Sequence, residues 1–139
     1  PKPLQAQFNM HRALSRNSAS SRAIPVAKVI AAVQQDPYIP TWTSRQKGMT
    51  GGDNLDDTQR QQATKVWLDF RDRAVDAARC LEFWGVQKQE INRTLEPFMY
   101  VPVIVTATDW DNFFTLRCAD DAQPDLRAIA IAMRELHQS

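Results

Sequence analysis

Apolar residues at three- and four-residue steps mark the strongest periodic segment of the chain. Ala63, Val66, Trp67, Phe70, Ala74, Ala77, Ala78, Leu81 and Trp84 fall on one broad face, which predicts an amphipathic helix. Asp56 and Asp57 precede it, where acids suit the positive end of a helix dipole, and Gly85 stands where the helix stops. The aromatic members Trp67, Phe70 and Trp84 read as core. Upstream, Leu4, Phe8 and Leu14 suggest a short helix presenting Gln7, Met10 and His11 in its last turns. Ser15 to Ser21 read as irregular, because small polar side chains compete with the helix for backbone hydrogen bonds. Pro25 suits the first turn of a helix from Val26 to about Gln34, which Pro37 closes. Residues 36–57, with Pro37, Pro40, Gly48, Gly51 and Gly52, form a long connection of the kind that is functional or mobile.

Downstream, "VQKQEINRTLEP" predicts a second short helix ended by Pro97, and "MYVPVIVTAT" is the one convincing strand, with Pro102 pointing to an edge. "DWDNFFTLRCADDAQ" reads as a helix and a turn, and "PDLRAIAIAMREL" as a terminal helix opened by Pro124. The length of 139 residues suits a single domain, residues 1–139. The expected class is α+β, helix-dominated with a small sheet.

Charge narrows the chemistry. Seventeen basic against sixteen acidic residues leave +1, too little excess for a general polyanion binder, so no nucleic acid is expected and any anion site is local. The local excess is "HRALSRNSASSR", residues 11–22, with three arginines, one histidine and four serines and no acid. Cys80 and Cys118 form no C-x-x-C pair and suit a reducing, cytoplasmic interior. His11 and His137 lie too far apart in sequence to suggest a zinc site. The longest apolar run, about Tyr100 to Ala107, is too short for a bilayer.

Neither a P-loop nor a G-x-G-x-x-G occurs, and no nucleophile–base set is specified. Arginine remains: Arg12, Arg16 and Arg22 in the opening stretch, Arg93 beside Ile91 and Leu95, and Arg117 beside Phe114 and Leu116. A guanidinium fork suits phosphate or a carbonyl at a partly buried site. Taken alone, such arginines are more often salt-bridged or snorkelling side chains, and such a Ser/Arg stretch is more often a solvated loop or a phosphorylation target than a nucleotide site.

A resemblance adds to this reading. "MHRALSRNSASSRA" resembles the signature of the flavin-dependent thymidylate synthases, Arg-His-Arg, seven residues, then Ser; here it runs Met10, His11, Arg12, seven residues, Ser20, with Arg22 following. "EINRTLEP" is similar to the family's Glu-x-x-Arg-x-x-x-Pro, and "NFFTLRCADDAQPDLR" to its Asn-Phe-x-x-x-Arg-x-x-x-x-Ala-Gln block. The three blocks stand in family order and spread from residue 7 to about 127, and the variant of the first looks like a phage-type branch.

The resemblance implies dUMP methylation to dTMP, with methylenetetrahydrofolate as carbon donor, FAD as redox cofactor and NADPH as reductant. No enzyme nucleophile attacks the pyrimidine; positive charge stabilises the charge developing on the uracil carbonyls and N3. By resemblance, Arg117 has that catalytic role. Ser20, Arg22 and Arg93 hold dUMP, chiefly its phosphate, and Gln7 joins them. His11, Arg12 and Asn112 match flavin-contacting positions. Family sites lie between subunits of a tetramer, so a homotetramer with shared sites is implied.

The chain departs from the common motif at Met10 for Arg, Ser18 for the sugar-recognising Glu, Thr106 and Thr108 for FAD-binding Asn and Arg, and Asp121 for His. The family also carries an N-terminal sheet and helix before the motif, whereas this sequence opens almost at it. Two alternatives remain: flavin and folate chemistry on another pyrimidine nucleotide, and a non-catalytic nucleotide- or nucleic-acid-binding module.

Overall fold

The computed structural model describes residues 1–20, 22–47 and 51–139. Among them are six α-helices and two strands: α1 (Gln5–Phe8), β1 (Ser15–Ser18), α2 (Val26–Gln35), α3 (Asp57–Phe83), α4 (Lys88–Thr94), β2 (Val103–Thr106), α5 (Asp111–Arg117) and α6 (Pro124–Gln138). Single 3-10 turns, Lys2–Leu4 and Glu96–Phe98, precede α1 and follow α4. Among the described residues, no helix is long and apolar enough to cross a membrane.

The long helix is bounded as its sequence dictates. The Asp56 carboxylate accepts from the Gln59 amide nitrogen at 2.8 Å while the Gln59 side chain turns back to the Asp56 nitrogen, a reciprocal capping box. At the other end Gly85 adopts φ 73°, and the Val86 and Gly85 nitrogens donate to the Leu81 and Glu82 carbonyls. Those carbonyls would otherwise be orphaned, and a residue without Cβ adopts that φ at least cost.

Burial divides into two apolar clusters. In one, Val26, Val29, Ile30 and Val33 of α2 meet Ala74, Val75 and Ala78 of α3 and Ile91, Leu95 and Phe98 beyond. In the other, Leu4, Phe8 and Leu14 meet Phe113 and Phe114 of α5 and Leu126 and Ala130 of α6. β1 and β2 form an antiparallel pair in the register Ser15↔Thr106, Arg16↔Val105, Asn17↔Ile104 and Ser18↔Val103. Val105 packs on the second cluster.

Several expectations are corrected. Residues 15–18, read as irregular, form β1; the partner strand supplies the backbone hydrogen bonds that local polarity argued against. Ser21 of that stretch lies outside the described residues. The opening helix ends at Phe8, so Met10 and His11 follow it rather than lying in its last turns. Pro97 sits inside a 3-10 turn, two residues past the Leu95 cap of α4.

The aromatic stripe of α3 is not core throughout. Trp67 is partly buried, Phe70 is 48% exposed and Trp84 74% exposed. Periodicity says which residues share a face, and α2 and α4 cover only part of it.

The connection over 36–57 is folded back on itself where described. Thr43 and Asn54 form an antiparallel bridge, and the Ser44 nitrogen donates to the Asp53 carbonyl at 2.7 Å. A Cβ on Gly51 or Gly52 would meet the Thr43 or Ser44 hydroxyl at 2.3 Å, which explains glycine at both positions. Gly48 lies outside the described residues.

The same connection is latched to α6 at Asp125. Its carboxylate accepts from the Tyr38 hydroxyl at 2.7 Å, the Thr41 hydroxyl at 2.6 Å, the Thr41 nitrogen at 3.2 Å and the Gln123 side chain at 3.1 Å. Burial acts to raise the Asp125 pKa, but the hydrogen bonds from Thr41, Tyr38 and Gln123 together hold it below its ordinary value. Burial, and then the Asp125 hydrogen bond and charge, push the Tyr38 phenol well above its ordinary value, so it stays a donor.

Replacing Asp125 by Ala removes hydrogen bonds to a charged group and is expected to cost about 1.5–3 kcal/mol, against about 1 for Tyr38→Phe. Because the folded pKa is depressed, the latch contributes fully above the ordinary value of 3.8 and is lost as pH falls below it. Urea unfolding at pH 7 and pH 3 checks both statements. An Asp125→Ala variant as stable as wild type at pH 7 removes the latch from the account.

Candidate functional site

The end of α1, the turns after it, β1 and α5 converge on His11. The Arg117 Nε, from α5, donates to His11 Nε2 at 2.8 Å across 106 residues of chain. His11 is buried, and its ring stands edge-on to Phe113 with centroids 5.0 Å apart and planes 84° apart. Its backbone carbonyl accepts from Arg16 Nη1 at 2.7 Å, and the same nitrogen reaches the Phe8 carbonyl at 3.3 Å. Arg16 therefore ties β1 to the two carbonyls exposed after α1. His11 is clamped at both its ring and its backbone.

This geometry sets the protonation state. An arginine Nε–H is only a donor, so Nε2 is the acceptor and the ring proton resides on Nδ1. Burial, reinforced by the Arg117 and Arg16 charges, pushes the imidazole below its ordinary pKa of 6.5. Neutral His11 occupies the Arg117 Nε. The terminal guanidinium nitrogens make no hydrogen bond among the described residues.

Positive charge here is uncompensated. Arg93 pairs with Glu90 at 3.0 Å and Arg127 with Asp120 at 2.5 Å, but Arg12, Arg16, Arg22 and Arg117 form no ion pair among the described residues. Arg12 is exposed beside His11, and Asn112 is exposed on α5, one residue before Phe113. Gln7 is half-buried in α1.

The remaining predicted residues lie apart. Ser20 and Arg22 share a turn before α2, where the Ser20 hydroxyl accepts from the Arg22 nitrogen at 3.3 Å and the Ser20 carbonyl from Ala23 at 3.0 Å. Arg22 lines an open cavity of about 470 Å³ with Gln87, Lys88 and Gln89 at the start of α4. Arg93 lines a different groove, of about 580 Å³, with Lys2, Gln5, Asn9, Trp67 and Glu96. Within one chain the two predicted phosphate arginines therefore border separate cavities. Arg93 is also exposed rather than partly buried, because its apolar neighbours Ile91 and Leu95 point into the core.

Sequence reasoning missed the role of Phe113 as the platform under His11 and of Arg16 as the clamp on its carbonyl. Both are visible only after β1 has paired with β2. Ser18, at the position of the family's sugar-recognising Glu, has its hydroxyl accepting from the Gln5 side chain at 2.9 Å. No protein-family model matches the chain, and no curated protein matches it closely enough to carry an inference.

The His11–Arg117 contact predicts a pH signature. The folded pKa lies below the unfolded one, so this contribution to stability is full above about pH 6.5 and is lost as pH falls through that value. Glutamine in place of His11 keeps an acceptor for Arg117 and removes the titration. Urea midpoints are expected to fall from pH 7 to pH 5.5 more steeply for wild type than for His11→Gln. Equal slopes mean that His11 is not held neutral by this contact.

Proposed function

We propose that this chain methylates dUMP to dTMP by flavin-dependent chemistry, with methylenetetrahydrofolate as carbon donor and NADPH as reductant. Two supports come together. Three sequence blocks resemble those of the flavin-dependent thymidylate synthases, and the first and third meet in space through the 2.8 Å contact between His11 and Arg117. That contact is the observation that carries the reading.

Its chemistry suits the reaction. Uracil C5 is a poor nucleophile until negative charge accumulates on the carbonyls and N3. A guanidinium held at Nε offers its terminal nitrogens in a fixed plane to that charge. Preorganised donors of this kind stabilise a transition state more than a neutral ground state. Among the described residues no acid pairs with Arg117, and this together with its partial burial preserves the field.

Ser20, Arg22 and Arg93 hold the dUMP phosphate in this reading, with Gln7 beside them. The separate cavities of Arg22 and Arg93 accord with sites completed between subunits of a homo-oligomer, a tetramer by the family resemblance. The Arg93–Glu90 pair is solvent-exposed and worth little, so a phosphate can replace the glutamate at small cost.

The residues fit a flavin in part. Arg12 and Asn112 are exposed and available to FAD, whereas the His11 ring is buried against Phe113 and engaged by Arg117. In this reading His11 acts on Arg117 instead of touching the flavin. When bound, FAD supplies the redox step that NADPH drives. The engagement of Ser18 with Gln5 favours, as the second reading, the same chemistry on another pyrimidine nucleotide.

Arg117 is tested in flavin-loaded protein. Arg117→Ala is expected to lower kcat for dTMP formation by about 10²–10³ while flavin reduction by NADPH persists. Arg117→Lys keeps the charge, loses the planar fork and restores only part of the rate. Arg22→Ala and Arg93→Ala are each expected to weaken dUMP at least tenfold, from loss of about 1.5–3 kcal/mol per charge-assisted bond, with a smaller effect on deoxyuridine. An Arg117→Ala enzyme with wild-type kcat and only a raised KM makes Arg117 a binding contact. Protein that takes up neither flavin nor dUMP overturns the whole reading.

A further inference from the structure

One edge of the apolar face of α3 carries a stripe that the other described residues leave largely uncovered, with only Phe70 turned partly onto Trp67 and Phe98. Val66, Phe70, Arg73, Ala77, Cys80 and Trp84 follow one another at alternating steps of four and three residues. The alternation averages 3.5 residues, so the six positions form a straight seam of the kind two helices share at a shallow left-handed crossing. All six are exposed, Val66 at 68% and Trp84 at 74%, although four of them are apolar or aromatic carbon surface. The adjoining side of α3, with Ala74, Val75 and Ala78, is the one packed on α2 and α4. Phe83, 82% exposed, adds a second ring beside Trp84, with centroids 5.4 Å apart.

We propose that this stripe is the contact surface for a second copy of the chain, packed antiparallel about a two-fold axis level with residue 75. The seam is self-complementary only in that arrangement. Trp84, the largest side chain, meets the partner's Val66 at each end. Phe70 meets the partner's Cys80, and Arg73 meets the partner's Ala77.

Charge fits the same register. Arg73 is the one charged residue in the seam and has no ion pair among the described residues. Asp76 flanks the seam, and its partner within the chain is Arg79 at a loose 3.6 Å. At the axis the two Asp76 carboxylates share one flank, and each faces the other copy's Arg73. Two cations thus lie against two anions at the centre, and a lone charged pair inside an apolar seam fixes register and orientation. A parallel pairing would stack Arg73 on Arg73 and Trp84 on Trp84. The contact runs about 27 Å by the helical rise, nearly the whole apolar length of α3.

The inference makes no use of the enzymatic reading, and its test reads mass rather than turnover. Sedimentation equilibrium of the full chain at micromolar concentration is expected to show dimers or their multiples. Val66→Glu and Trp84→Ser alter exposed side chains and should leave the circular dichroism spectrum unchanged while weakening association at least tenfold. Arg73→Asp leaves four carboxylates at the axis, and Asp76→Arg leaves four cations. Each should dissociate the pair, and the two together in one chain should restore it.

Register is read by cross-linking. Positions 70 and 80 lie about 15 Å apart within one helix, too far for a disulfide. A disulfide between Phe70→Cys and the native Cys80 is therefore made between copies, and it should vanish when Cys80→Ser is added. If Phe70→Cys does not fold, Val66→Cys with Trp84→Cys, both at exposed positions, tests the same axis. A wild-type chain that stays monomeric, or one whose association ignores Val66→Glu, Trp84→Ser and the charge swap, overturns the proposal.

Discussion

The pairing of Ser15–Ser18 with Val103–Thr106 is the constraint on which the rest of the candidate site depends. The two segments are far apart in sequence, so their pairing closes a long loop at an entropic cost that grows slowly with length. A two-stranded sheet is marginal alone in water. Here Val105 packs on the Leu4, Phe8, Leu14 and Phe113 cluster, and Arg16 joins β1 to the carbonyls of Phe8 and His11. The apolar contact holds the strands together, and the arginine determines how the turn after α1 meets them. Once β1 is in place, His11 lies over Phe113 and within reach of Arg117.

The electrostatics follow from that placement. Arg16, His11 and Arg117 occupy one junction, and no carboxylate pairs with them among the described residues. Burial, reinforced by the two guanidinium charges, disfavours a charged imidazole there, so His11 stays neutral and serves as an acceptor. Its neutrality is what leaves Arg117 held by Nε with its terminal nitrogens available. A charged histidine would repel the same guanidinium. Arg93 shows the contrast, since an exposed glutamate three residues away pairs with its Nη1 at little energetic gain.

The two apolar clusters are joined by polar contacts as well as by chain. Lys2 donates its backbone nitrogen to Met99 at 2.7 Å, its ammonium lies 3.8 Å from Glu96, and Tyr38 and Thr41 reach Asp125. Each of these draws the segment before or after the long helix toward the second cluster. The helix itself spends only one side on this packing. The edge of its apolar face that runs from Val66 to Trp84 is left largely exposed.

Local chemistry alone determined much of this protein. The α3 boundaries follow from Asp56, Gln59 and Gly85, the start of α6 from Pro124, and the helix-dominated α+β class from the periodicities, because caps, proline geometry and apolar spacing act over a few residues. The pattern of arginine and serine over 11–22 marked the uncompensated charge for the same reason. Tertiary structure alone decided that the polar residues 15–18 are a strand, since Val103–Thr106 supply hydrogen bonds that no local rule foresees. It alone decided that Trp84 and half of Phe70 are left exposed, because a periodic face does not reveal how many neighbours arrive to cover it. It joined His11 to Arg117 and Tyr38 to Asp125, pairs separated by 106 and 87 residues. Such contacts depend on the whole chain closing on its two clusters, and no short-range propensity encodes them.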